Sequence, residues 1–254
     1  MASLPPGACC YQGVKHEGEA KGELTSIGDI EAYVVKPEGQ ETFDKAILIL
    51  TDVIGHRSIN VQLIADQLAA NGYLVLIPDL FSGDPIPLNR PGDFDIGAWM
   101  KGAHNPKKTA HLPPDVDPIV EASITELRTK YGVKKIGSIG YCFGAKYVVR
   151  HLLPSSQKIS VGFVAHPSFV DEEELQAIKG PLGIAAAETD SIFPAEKRHR
   201  SEEILKEVGV PYQVSLYSGV AHGFAVRGDV DDQVARYAKE AAFLQAVQWF
   251  GEFL

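Results

Sequence analysis

What the chain has little of narrows its class first. It carries three cysteines in 254 residues, Cys9 and Cys10 adjacent and Cys142 alone. That is too few, and too uneven a spacing, for a disulfide framework, so a reducing compartment is expected. Basic charge is also in deficit: 24 Lys and Arg stand against 33 Asp and Glu, a formal net charge of −9. The balance disfavours a polyanion-binding surface and makes nucleic acid a poor partner. No apolar run approaches the ~18 residues of a membrane span. The opening MASLPPGACCYQG has neither the basic start nor the apolar core of a signal peptide, so a cytoplasmic protein without a membrane partner is expected. Also missing are a GxxxxGK[ST] phosphate loop, an HExxH helix and a paired CxxC, and IGSIGYCFGA (136–145) does not fit the GxGxxG dinucleotide fingerprint. Neither a cofactor nor a metal is expected from these patterns. No Pro/Gly/Ser-rich linker divides the chain, and its hydrophobic share of 45% can fill a sizeable core. Residues 1–254 are therefore expected to form a single domain.

What is present is an alternation of short apolar runs and amphipathic stretches. IEAYVVKP (30–37) alternates and predicts an antiparallel edge strand, while KAILILTD (45–52) and YLVLIPDL (73–80) are continuous apolar runs of the kind found in buried parallel strands. Between the last two, Val61, Leu63, Ile64, Leu68 and Ala69 recur at near-helical spacing. The alternation continues through a helix at 119–132, strands at 134–141, 159–167, 182–188 and 212–218, and intervening helices, and it closes on a long helix over 231–254. Repeated strand–helix units imply an α/β fold with a mostly parallel central sheet and helices on both faces. One stretch breaks the rhythm. Residues 82–114 are proline-rich and weakly periodic, which suggests a lid insertion, with Trp99 and Met100 as its ordering residues.

The chemistry-bearing residues begin with Gly140-Tyr141-Cys142-Phe143-Gly144, which follows a strand and opens a helix. That is the setting of a nucleophile elbow, in which small flanking residues let a tight turn expose the central side chain. The amide of Phe143 would supply half of an oxyanion hole, and the helix N-terminus would favour a thiolate. A buried inert cysteine is the competing reading. Downstream, Asp190 follows one predicted strand and His222 the next, in the order nucleophile, acid, histidine and at the strand ends where open α/β sheets build their sites. Glu188 is a rival acid placed closer to its strand. Asp190 could instead cap a helix, and His222 is one of eight histidines. Ser138, inside the strand, is no substitute nucleophile. His166 could line a pocket or brace a turn, and Cys9 and Cys10 lie in a coil where packing, or no role, is expected.

The motifs GYCFG (140–144), ETDSIFP (188–194) and AHGFAVRG (221–228) resemble those of the dienelactone hydrolase family, a cysteine branch of the α/β-hydrolases, from about residue 27 to the end and most strongly its fungal members. The resemblance implies Cys142 as nucleophile, His222 as base, Asp190 as orienting acid and the Val53 amide as second oxyanion donor. A glutamate that assists thiolate formation in bacterial members corresponds to Asp52 here. Their carboxylate-binding arginine falls at Val226, with Arg227 beside it, and Arg57 is another candidate anion clamp. The implied activity is hydrolysis of a small activated ester or lactone. A monomer or homodimer is expected. Two alternatives stay open. One is a carboxylesterase or thioesterase acting on another metabolite; the other is a non-catalytic binder or oxidant sensor using Cys142, for which no resolving cysteine stands near in sequence.

Overall fold

The computed structural model describes every residue except 92, 106 and 154–158. Its strands form one eight-stranded sheet in the order β1-β2-β4-β3-β5-β6-β7-β8. These are β1 Glu23–Ile27, β2 Ile30–Val35, β3 Lys45–Leu50, β4 Leu74–Pro78, β5 Lys135–Tyr141, β6 Val161–Ala165, β7 Leu182–Thr189 and β8 Tyr212–Ala221. Strands β3 through β8 run parallel to one another, whereas β2 pairs antiparallel with both β1 and β4. The fold is that of an α/β-hydrolase.

The helices are α1 Ile59–Ala70, α2 Ile96–Met100, α3 Pro113–Thr129, α4 Gly144–His151, α5 Glu172–Ala177, α6 Ala195–Val208, α7 Phe224–Arg227 and α8 Gln233–Phe253. Alternate residues of the buried strands feed two cores. Leu48 and Leu50 of β3 join the layer formed with α3 to α6, while Ile47 and Ile49 face the layer formed with α1 and α8. This is the period-two side-chain geometry of a sheet covered on both sides.

Two expectations shift. The IEAYVV segment is antiparallel but not the edge, because β1 pairs outside it. β1 reads ELTSI with only Ile27 buried, so it lacked the apolar run that would reveal a strand. Helix α3 starts six residues before the expected 119, at Pro113. Proline is accepted in a helix's first turn because its missing N–H would have no partner there.

Residues 82–114, of which 92 and 106 lie outside the described set, pack against the elbow. The Trp99 indole N–H donates to the Asp84 carbonyl at 2.8 Å, and its ring centroid lies 5.2 Å from Phe81 and 6.2 Å from Phe143. Asp95 caps α2 by accepting the Ala98 N–H at 2.9 Å.

Behind the elbow, α4 is held by Lys146, whose ammonium is buried and donates to Asp171 at 3.0 Å, to Glu174 at 2.9 Å and to the Phe169 carbonyl at 3.0 Å. Removing one partner of a buried pair leaves the other charge uncompensated. Because Asp171 is partly exposed, Lys146→Ala is expected to lower unfolding stability by about 2 to 4 kcal/mol. Urea denaturation of the two proteins measures this, and an unchanged midpoint would refute the structural role given to Lys146.

Candidate active site

Cys142 sits at the turn from β5 into α4 with φ of +49°, a left-handed conformation that side chains other than glycine rarely adopt. The flanking glycines make the turn possible. A Cβ on Gly144 would overlap the Leu50 carbonyl, and one on Gly140 would lie 2.7 Å from Ala145 Cα. The turn is locked by the Cys142 N–H donating to the Ala165 carbonyl at 3.1 Å and by the Ser168 N–H donating to the Cys142 carbonyl at 3.0 Å. Ser168, which the sequence did not single out, also places its hydroxyl 3.6 Å from the Cys142 sulfur.

The carboxyl ends of β7 and β8 bring Asp190 and His222 together. His222 Nδ1 lies 2.9 Å from Asp190 Oδ2, and both side chains are buried. The other carboxylate oxygen of Asp190 accepts the Ile192 and Phe193 amides at 2.8 and 3.0 Å, which fixes its plane. Glu188, the rival acid, is exposed and accepts the Gly219 amide instead. The Val53 amide on the loop after β3 and the Phe143 amide at the elbow belong to buried residues, and neither donates a hydrogen bond among the described residues. Ser138 is spent on the Leu48 carbonyl at 2.8 Å.

The largest departure from the sequence-based reading is Cys10. A single turn of 3-10 helix, Ala8–Tyr11, points its thiol into the site, where the sulfur is fully buried and 3.5 Å from His222 Nε2. The sulfurs of Cys10 and Cys142 and a ring nitrogen of His222 all lie within 4.8 Å of one another. Cys10 therefore lies in a 3-10 turn packed into the site, near Cys142, and a second thiol stands beside the first. More than 200 residues of sequence separate Cys10 from His222, and no spacing motif signals such a meeting.

The remaining candidates are redirected. Asp52 and Arg227 form a buried ion pair with each other. Arg227 also donates to the carbonyls of Gln12 at 3.0 Å and Cys9 at 3.4 Å, and Asp52 accepts the Ile54 amide at 3.0 Å. Arg227 thus clamps the N-terminal strap, residues 7–14, instead of presenting a free cation, and among the described residues no hydrogen bond joins Asp52 to the Cys142 thiol. Val226 is buried core, with its carbonyl accepting from Asn60 at 3.0 Å. Arg57 is exposed and bonded twice to Glu31, each at 2.6 Å, which takes it away from any anion at the thiol. His166 is buried at φ of +39°, stacked against Tyr141 with its ring 5.0 Å from that of His222, and neither of its ring nitrogens has a partner among the described residues.

Burial and charge set the protonation states. Burial alone would push the Cys142 thiol up, but the Cys10 contact, the His222 charge and Arg227 draw it well below its ordinary value. Burial alone would depress His222, yet the facing Cys142 charge and the Asp190 hydrogen bond lift it to about 10. The two directions agree on a thiolate–imidazolium pair. Burial and the positive charge of His222 keep His166 neutral, and burial raises Asp52 despite Arg227.

A family model described as the dienelactone hydrolase family matches residues 30–254. Among curated proteins, the chain is similar to the hydrolase tropI of Talaromyces stipitatus, 59% identical with 100% of this chain and 99% of the relative covered. It is 35% identical to dienlactone hydrolase 1 of Gibberella moniliformis, over 100% of this chain and 96% of that one. Its fold matches a solved structure of a putative dienelactone hydrolase from Klebsiella pneumoniae with a TM-score of 0.69 at 16% identity, covering 91% of this chain and 98% of that one. No helix among the described residues is long and apolar enough to cross a membrane.

The electrostatics carry a pH prediction. A thiol whose folded value is depressed stays ionised as pH falls below its ordinary value of 9.0, so alkylation of Cys142 at pH 7 should approach its alkaline rate. His222→Ala removes the facing cation and should move the alkylation midpoint upward by at least one pH unit, about 1.4 kcal/mol of lost thiolate stabilisation. Peptide-resolved mass spectrometry is required, because Cys9 is also drawn down, to about 6, chiefly by its contact with Cys10. A parent midpoint at or above 9.0 would overturn the ion-pair assignment.

Proposed function

The chain belongs to the dienelactone hydrolase family, and from that premise we propose that it hydrolyses small activated esters or lactones through a Cys142–His222–Asp190 triad and a thioester intermediate. The observation that carries the reading is the pairing of a fully buried elbow cysteine at positive φ with a histidine whose far nitrogen is held by a fixed carboxylate at 2.9 Å.

In this mechanism the Cys142 thiolate attacks the carbonyl carbon, and the π electrons move to an oxygen that the Val53 and Phe143 amides receive. Collapse of the tetrahedral species breaks the carbon–oxygen bond to the leaving group, which takes the proton from His222 Nε2. The product is a neutral thioester. Once the sulfur no longer carries charge, a main cause of His222's raised basicity is gone, so the imidazole that has just acted as acid becomes free to deprotonate water. Hydroxide addition and loss of the Cys142 thiolate release the acid and restore the pair. Thiolate chemistry suits leaving groups that depart with little protonation, such as enolates and aryloxides.

Arg227 is engaged by Asp52 and two carbonyls, and Arg57 by Glu31, so the cations considered for a substrate carboxylate are both occupied. The proposed substrate class is therefore an uncharged acyl ester or lactone. A second reading, oxidant sensing through Cys142, gains a neighbouring thiol in Cys10, and acyl turnover separates the two.

With an activated aryl ester, Cys142→Ala should lose at least about 1,000-fold in kcat/KM, and Asp190→Asn at least about 100-fold, the range expected for a nucleophile and for oriented acid–base catalysis. Intact-mass analysis of the rapidly quenched parent should show one acyl group on the Cys142 peptide. Full activity in Cys142→Ala would end the proposal. Across a panel of lactones, acyl thioesters and aryl esters with and without a neighbouring carboxylate, the uncharged lactones and esters should have kcat/KM values at least equal to those of their carboxylated analogues.

A further inference from the structure

We propose that Cys10 Sγ, Cys142 Sγ and His222 Nε2 form a zinc-binding site whose occupancy is incompatible with ester hydrolysis. Metal binding itself goes beyond the hydrolase reading and does not depend on it, because these atoms can bind an ion whether or not Cys142 forms a thioester; the loss of hydrolysis rests on that reading.

Two thiolates and one imidazole are a recognised zinc donor set that leaves a fourth position open. Bonds of about 2.3 Å to sulfur and about 2.0 Å to nitrogen, arranged tetrahedrally, hold ligand atoms roughly 3.5 to 3.8 Å apart. Cys10 Sγ is already 3.5 Å from His222 Nε2, and all three ligand atoms lie within 4.8 Å of one another. Bringing the most distant pair from at most 4.8 Å to tetrahedral spacing requires a shift of no more than about 1 Å.

The surroundings fit as well. Asp190 holds His222 Nδ1 at 2.9 Å, which presents Nε2 to an ion and makes the carboxylate–histidine pairing common behind zinc. Two thiolates neutralise the divalent charge inside a buried site. His166 lies against His222, ring centroids 5.0 Å apart, with both ring nitrogens unpartnered among the described residues. Binding involves no oxidation. The thiol of Cys10 loses one proton and the imidazolium of His222 another, so two protons are released as two zinc–sulfur bonds and one zinc–nitrogen bond form, and affinity rises with pH. The bound ion takes up the lone pairs of the nucleophile and the base together, and acylation stops.

The test uses the full chain, kept anaerobic with a phosphine reductant and titrated with cobalt(II) and then zinc. One equivalent of cobalt should give tetrahedral visible bands and a near-ultraviolet thiolate-to-cobalt charge-transfer band, and zinc should remove both. Hydrolysis of an activated ester should fall with the same stoichiometry and return on chelation. Chelator competition should show zinc bound at least about 100-fold more weakly by Cys10→Ser and Cys10→Ala, at or beyond the upper end of what losing even an outer-shell partner costs. Cys9→Ser should bind as the parent does, since Cys9 lies outside the donor set. X-ray absorption of the zinc-loaded parent, which needs no variant to fold, should count two sulfur neighbours and at least one nitrogen. The proposal fails if that count shows fewer than two sulfurs, if Cys10→Ala retains parental affinity, or if the zinc-loaded chain hydrolyses ester at the metal-free rate.

Discussion

The arrangement hangs on the buried ion pair of Arg227 with Asp52. Taking both charges out of water carries a large desolvation cost, tolerable only because the guanidinium's remaining donors meet the Gln12 and Cys9 carbonyls and the carboxylate also accepts the Ile54 amide. In meeting those demands the pair joins three segments distant in sequence. These are the loop after β3 that carries the Val53 amide, helix α7 just beyond His222, and the N-terminal strap that carries Cys10. A close backbone approach seals the junction. Gly13 lies where a Cβ would come 2.5 Å from Arg227 Cβ, so a glycine there lets strap and α7 touch. The residues at this junction that departed from the family pattern are thus positioning residues, and their placement decides what stands over the thiol.

Much of this was legible in the sequence for a reason that can be stated physically. Buried parallel strands have to be apolar along their whole length, and KAILIL, LVLIP and VGFVA announce themselves. The order of Cys142, Asp190 and His222 was readable because each follows a strand at its carboxyl end, buried β5 and β7 for the first two and the edge strand β8 for His222. Edge strand β1 was not, since a strand with one neighbour and an exposed face needs few apolar residues. The role of Arg227 was hidden differently. A charged side chain is taken for surface unless its counter-ion is known, and Asp52 lies 175 residues away. Ser168 gave no signal either, because its placement depends on the unusual backbone of His166 and Phe169, both at positive φ.

The site's electrostatics depend on its covalent state, and that dependence does chemical work. In the resting pair the Cys142 charge is the main support of the His222 cation against burial, while the thiolate is supported first by the Cys10 contact and then by His222. Acylation erases the negative partner while leaving Asp190 and its two amide donors in place. The imidazole is then held in one orientation by the carboxylate but no longer compelled to keep its proton. His166, kept neutral by the same burial and positive charge, adds no competing cation to the cluster. In the proposed mechanism one arrangement would therefore serve as acid in the first half-reaction and base in the second, without any side chain having to travel.

Cys10 shows how local geometry can separate two identical neighbours. In a 3-10 turn successive side chains point about 120° apart, so a single turn can send one cysteine outward and the next inward. Cys9 is partly exposed beside Ser191, while Cys10 is sealed beneath it, its sulfur accepting the Gly7 amide at 3.4 Å and facing His222. The inward thiol has lost its solvent, its value is raised well above the ordinary one by the neighbouring Cys142 and Cys9, and it stays protonated while Cys142 ionises. A protonated thiol can donate to a thiolate without competing for the substrate carbonyl. The same contact makes the two sulfurs and the imidazole a ready set of donors for a cation that displaces the protons.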